Sequence, residues 1–309
     1  MRDVHGIPAG VGPVLRSLVC ILFYSAGVAV SHGAASLNDL GIQQVVEIKE
    51  KHFGGSAGYR FQILGRSNPF YIEGPVGDAA KAPVMLNTLY VLGEVGNYSM
   101  GPGVAKHSAG IFFSRTSYLK ELLEVFNHDT QTLFLDNTFL RPGNLAFSAG
   151  IRGTRLVNAD DGVTEYTGWS PNISIGKLFH PGRSQHLWVR WRNNLTYSNI
   201  QGIAGTDLSE DRLNHWSTGL GLTHGWAFAR AWSMESHGGL DVSRYSKGTN
   251  QDRADTLLSL GTALRWKFWR YLSVAGFVDY THRSSSGTTI DYDFNNWDGG
   301  LRFNTGISF

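Results

Sequence analysis

His215 and Ser217 are the two residues of this chain whose spacing points most directly to catalysis. Only Trp216 separates them. On a β-strand, side chains two apart share a face, and an imidazole beside a hydroxyl can take its proton and turn it into a nucleophile. Other chemical signatures are incomplete. Gly101-Pro102-Gly103 lacks the third glycine and the strand-to-helix setting of a dinucleotide fingerprint. Ser117-Tyr118-Leu119-Lys120 has S-x-x-K spacing without its partner motifs. No metal cluster or phosphate loop is spelled out, and no cofactor is implied. Ten ionisable residues recur on the polar side of alternating segments: Arg152, Arg190, Arg192, Glu235, His237, Asp241, Arg265, Lys267, Asp279 and Arg302. Charges of both signs on one face either pair across neighbouring strands or line a path for ions. A hairpin symmetric about residue 250 is expected to set Glu235 directly opposite Arg265 in the lumen.

Strands must position these residues. Around the His-x-Ser pair, Trp216, Thr218, Leu220, Leu222 and Trp226 occupy one face, which leaves His215 and Ser217 on the other. At the C-terminus, Phe309, Ile307, Thr305, Phe303, Leu301, Gly299 and Trp297 alternate with Ser308, Gly306, Asn304, Arg302, Gly300 and Asp298. The same period-two pattern runs back to Tyr59, and it gives twelve strands. Ten remain an alternative, because residues 85–140 are irregular and Met85–Val95 is apolar on both faces. Between Ser117 and His128 the period breaks. Leu119, Leu122, Leu123 and Phe126 fall at helical spacing, so a short amphipathic helix capped by Ser117 and packed on a rim is expected there.

Connections alternate in length. Those near 141–143, 180–184, 229–231 and 269–271 are short, and those near 158–164, 199–212, 246–254 and 283–296 are longer and acidic. Aromatic residues fall into two bands on the apolar face. Phe179, Trp226, Phe228, Trp232, Trp266, Phe268 and Phe309 lie toward the short turns, and Trp169, Trp191, Tyr197, Trp216, Tyr280 and Trp297 toward the long loops. The 309 residues carry a formal net charge of +2, too small to call for nucleic acid as a partner. Mean hydropathy is −0.17. That value fits a water-soluble chain, and equally a membrane barrel whose strands turn half their side chains toward a polar interior. At the N-terminus, Arg2 and Arg16 precede an apolar run from Leu18 to Val30, followed by Gly33, Ala34 and Ala35. This reads as a secretory signal peptide over 1–35. The single cysteine, Cys20, lies within it, so the mature chain has no disulfide. Residues 36–56 are assigned to an N-terminal periplasmic segment and 57–309 to the barrel.

The closing pattern, with Phe303, Ile307 and Phe309 as its assembly signal, resembles the last strand of bacterial outer-membrane β-barrels. That resemblance is to a class rather than to one family. It implies a transmembrane up-and-down antiparallel barrel in the bacterial outer membrane. Its implied partners are outer-membrane lipid, lipopolysaccharide, the barrel-assembly machinery and small solutes. His215-x-Ser217 is similar to the pair in outer-membrane phospholipases and lipid A deacylases, with two departures. An Asn often follows the Ser in those enzymes where Thr218 stands here, and their pair faces lipid whereas this one faces the lumen. The expected function is therefore non-catalytic: a narrow charge-lined pore or a structural barrel. The alternatives are a lipid-modifying hydrolase and a surface-binding barrel acting through its loops. A soluble β-sandwich would leave the leader, the terminal Phe and the loop alternation unexplained together.

If the last strand is the assembly signal, deleting Phe309 lowers the amount of heat-modifiable barrel in outer-membrane fractions. An unchanged yield would count against the class.

Overall fold

The computed structural model describes residues 53–68, 82–100, 103–200, 211–287 and 293–308. Twelve antiparallel strands close into one barrel. In chain order they are β1 (Phe53–Arg66), β2 (Ala82–Met100), β3 (Gly103–Tyr118), β4 (His128–Arg141), β5 (Leu145–Asn158), β6 (Thr164–Gly182), β7 (Gln185–Ile200), β8 (His215–Ala229), β9 (Trp232–Tyr245), β10 (Ala254–Trp269), β11 (Leu272–Ser286) and β12 (Phe294–Ser308). Each pairs with its neighbours in sequence. The seam is β1 against β12, in register from Ser56↔Ser308 to Arg66↔Asp298. β1 begins at Phe53, four residues ahead of the boundary read from the sequence. Phe309 and residues 1–52 lie outside the described residues.

Alternation decides which side chain goes where. Trp169, Ile173, Leu220, Leu240, Leu260, Val278, Trp297 and Ile307 stand exposed on the outer wall. A contiguous apolar exterior of this kind is stable only against another apolar phase. Strands of 14 to 19 residues exceed the roughly 9–11 that a tilted strand needs to cross hydrocarbon, so the wall is taller than the lipid core. Aromatic rings pair at both levels. Trp232 and Trp266 stack 5.9 Å apart by the short turns, and Tyr280 and Trp297 lie 4.7 Å apart toward the long loops. The turn after β4 is tight, with positive φ at Gly143 (82°) and Asn144 (61°).

No α-helix occurs among the described residues. The segment expected as a helix from Ser117 to His128 is instead the end of β3, a 3-10 turn at Glu121–Phe126, and the start of β4. The ladder takes Ser117 and Tyr118, which pair with Met85 and Val84. Residues 119–127 then have to reverse the chain between two paired strands, and they do so with one 3-10 segment. The turn is held by Leu123 N–H→Lys120 O (2.8 Å) and Asn127 N–H→Glu124 O (2.8 Å). Two of its apolar residues, Leu123 and Phe126, pack on Leu64, Val84 and Tyr118 inside the barrel.

Inward glycines let side chains from the strands on either side meet. Arg192 on β7 and Asp241 on β9 are separated by β8, and Gly219 sits between them on the ladder. A Cβ added at Gly219 would collide with the Asp241 carboxylate and the Leu240 carbonyl. Gly261 stands likewise between His237 and Asp279, and Gly110 between Leu92 and Phe134. Gly221, the next inward position on β8, has no atom closer than 3.8 Å to such a Cβ. Gly219→Ala should therefore destabilise the refolded barrel by about 1–3 kcal/mol, while Gly221→Ala stays within about 0.5 kcal/mol. Urea unfolding in detergent, followed by tryptophan fluorescence, compares the two. Equal midpoints would show that the carboxylate yields without loss.

Candidate functional site

The charged and polar side chains of most strands turn inward, so the candidate site is the lumen. All ten ionisable residues singled out in the sequence stand on the inward parity of their strands, with Lys267 exposed at the short-turn end. The structure divides them by height and by wall. Toward the long-loop end the interior is dry. Arg253 and Arg283 are almost fully buried beside Asp255. The Arg253 guanidinium donates twice to the Asp255 carboxylate (2.7 and 2.5 Å) and lies 4.5 Å from the Tyr245 ring, and the Tyr245 hydroxyl donates to the same carboxylate at 3.2 Å. Arg283 lies over the Phe294 ring at 4.5 Å. Asn250 donates to the Arg212 carbonyl at 3.0 Å, which ties the 246–253 connection to residues 211–214. Across the seam, Arg66 makes a forked pair with Asp298 at 3.1 Å, and Asn296 donates to Asp298 at 2.9 Å. Tyr118, Asn158, Tyr166, Ser198 and Ile200 complete a buried ring around the barrel at this end.

Below that ring most charged side chains are half-buried, while Arg60 and Arg302 are buried. Arg192 and Asp241 form a forked pair (3.0 and 2.5 Å). His237 Nε2 lies 3.6 Å from Asp279, and Lys106 pairs with Glu94 at 2.8 Å. Arg302 lies 4.8 Å from the Phe277 ring, and both Arg302 and Asp298 act electrostatically on Asp279. Arg152, Arg190 and Arg192 lie within one another's electrostatic reach, with Asp136 and Asp241 as the nearby carboxylates. An apolar patch interrupts the charges on β2–β4. Tyr90, Leu92 and Phe134 form a buried cluster on β2–β4, with Phe112 packed against it.

Two expectations about pairing change. Glu235 and Arg265 are not directly opposite. Glu235 pairs with Ala263, and Arg265 with Ser233, because the β9–β10 hairpin is centred one residue earlier than a turn symmetric about 250 would place it. Each makes other contacts. His215 and Ser217 do share the inward face and are both buried. No hydrogen bond joins them, however. His215 Nδ1 is 2.8 Å from the Leu213 carbonyl and its ring is 5.0 Å from that of Tyr245, while Ser217 accepts from Asn194 at 3.3 Å. Their setting is the dry ring rather than the lipid face. Sequence reasoning missed the Arg253–Asp255–Arg283 group, whose only linear signal is Arg253-x-Asp255 beside a connection.

Comparison with protein-family models and with curated proteins yields no match. Among solved structures, the chain is similar to an outer-membrane channel from Pseudomonas putida F1, with 12% identity over 84% of this chain and 97% of that one and a TM-score of 0.51. It is also similar to the translocator domain of the autotransporter NalP from Neisseria meningitidis (14% identity, 91% and 97% covered, TM-score 0.47). A third is the NanC porin (10% identity, 81% and 98% covered, TM-score 0.41). The likeness establishes a fold: the closed barrel of the bacterial outer membrane.

The forked Arg192–Asp241 pair, which the fold holds over Gly219, provides a test of the lumen's energetics. Asp241→Asn and Arg192→Gln should each cost about 3–5 kcal/mol if the pair is effectively desolvated, and the double variant should lose less than the sum. Urea denaturation of the four proteins completes the cycle. Strict additivity would sink the pairing.

Proposed function

We propose that this outer-membrane β-barrel is a narrow, charge-lined pore that favours anions, drawn closed at its long-loop end. The observation that carries the reading is the contrast in wetness along the lumen. A barrel whose interior served only to hold it together would bury its ion pairs throughout. Here Arg152, Arg190, Arg192, Glu235, His237 and Arg265 stay half-buried, with part of each side chain open to the lumen, below a dry ring. Around Asp136 and Asp241 the arginines outnumber the carboxylates, three to two. A lining with that balance raises the local concentration of anions and repels cations. The dry ring favours a second reading, a structural barrel with a blocked bore. The buried, separately bonded His215 and Ser217 lend no support to hydrolysis of lipid.

Conductance of the refolded protein in a planar bilayer separates the two. The pore reading expects stepwise currents that grow with salt and reverse on the anion side in a KCl gradient. Silence at all voltages favours the structural barrel. The ring itself is the barrier under the pore reading. Asp255 is the carboxylate shared by Arg253, Arg283 and Tyr245. Asp255→Asn leaves those guanidinium groups without their counter-charge and should raise the open probability several-fold. A variant with unchanged, low conductance and native stability would show that the ring is not what closes the bore.

A further inference from the structure

Exposed charge is divided between the two ends of the barrel. Among the described residues the exposed acids, Glu121, Glu124, Asp160, Asp161 and Asp252, all stand in the long-loop connections. At the other end, each of the four described short turns carries one exposed arginine: Arg141, Arg183, Arg230 and Arg270. No exposed acid among the described residues accompanies them there. The side chains of Arg230 and Arg270 have no carboxylate partner among the described residues. The Arg270 guanidinium lies over the Tyr271 ring at 4.3 Å.

The turns of Arg230 and Arg270 are neighbours on this rim, joined by the paired strands β9 and β10. The backbone N–H of Lys267 donates to the Ala231 carbonyl at 2.8 Å, which ties the Arg230 turn to β10 three residues before Arg270. What adjoins them on the outer wall is aromatic. Four of the nine tryptophans, Trp226, Trp232, Trp266 and Trp269, stand exposed on β8–β10 at this end, with Phe228 and Phe268. Trp226 packs on Phe228 at 5.1 Å, and Trp266 packs on Phe268 at 5.3 Å while it stacks on Trp232. By contrast, neither β4 nor β5, which flank Arg141, carries a tryptophan.

Indole rings favour the boundary between hydrocarbon and headgroups. A guanidinium at that boundary can take a phosphate through forked hydrogen bonds. Short turns of such barrels face the periplasm, so this rim meets the phosphates of the periplasmic leaflet. A zwitterionic headgroup would also bring a cation, for which the rim holds no exposed carboxylate among the described residues. We infer that the β8–β11 sector of the short-turn rim is a binding site for anionic phospholipid. Its phosphates are held by Arg230 and Arg270, and its acyl chains lie along the wall of Trp232 and Trp266. The site is independent of whether the lumen conducts.

Brominated lipids, which quench nearby tryptophans, test this on the full barrel in phosphatidylcholine vesicles. At equal fraction, brominated phosphatidylglycerol should occupy the tryptophan wall at least about threefold more than brominated phosphatidylcholine. Arg230→Gln with Arg270→Gln should abolish the preference, and Arg141→Gln should leave it unchanged. Trp232→Phe with Trp266→Phe should remove most of the selective quenching. Heat-modifiability confirms that each variant is folded. Equal quenching by the two lipids would overturn the site, as would a preference that survives the double arginine change or the double tryptophan change. An equal loss with Arg141→Gln would reduce it to a diffuse surface potential and overturn it too. Poly-glutamate is the competing occupant. Its binding through the same arginines, without a lipid preference, would assign the rim to an acidic polypeptide instead.

Discussion

Everything in this molecule depends on the seam between β1 and β12. Backbone N–H and C=O groups facing hydrocarbon have no water to bond with, and each one left open costs several kcal/mol. An open sheet of this exterior would carry two such edges. Closing the ladder from Ser56↔Ser308 to Arg66↔Asp298 removes both. The same register brings residues far apart in sequence into the lumen together. Arg66 finds Asp298, Arg60 finds Asn304, and the backbone N–H of Asn68 finds the side chain of Asn296. Closure is thus the condition both for crossing the membrane and for having an interior.

Closure also fixes how much room that interior has. Eight strands leave space only for side chains, and sixteen or more leave a water channel. Twelve lie between, so the filling is decided locally, by side-chain size. Where inward glycines thin the wall, side chains two strands apart come together: Arg192 with Asp241 over Gly219, His237 with Asp279 over Gly261, Leu92 with Phe134 over Gly110. The first two pairings occur among the half-buried charges and the third in the apolar patch. One geometric device therefore serves both chemistries, and it narrows the bore.

The sequence carried the alternation that this architecture needs, so strand number, inward set and outward set could be read from Tyr59 to Ser308. It misled where both faces of a strand are apolar. β2 appeared irregular because Val84, Tyr90 and Leu92 fill the lumen while Leu89, Val91 and Val95 face outward. The helical spacing of Leu123 and Phe126 had the same origin, since apolar residues that dock into a mouth need not be helical. The register of Glu235 and Arg265 was beyond reach, because it turns on where within a connection the hairpin is centred. Most of the dry ring was also hidden. Arg212 and Arg253 lie in connections, where period-two reasoning assigns no face.

The two levels of the lumen bear on change in different ways. In the dry ring, each charge is held by partners that have themselves left water, so removing one strands another. Arg253, Asp255, Tyr245 and Arg283 are coupled in this way, and no member can vary alone without loss of stability. At mid-height, Arg152 and Arg190 are half-buried and their side chains have no hydrogen-bonded or salt-bridged partner among the described residues, so removing either strands no bonded counter-charge. Substitution there alters what the lumen attracts while leaving the barrel standing. The ring can therefore remain fixed while unbonded positions below it are tuned, and whether a charge is tied to a partner, as in the ring and in Arg192–Asp241, decides whether it is committed to stability or available for selectivity.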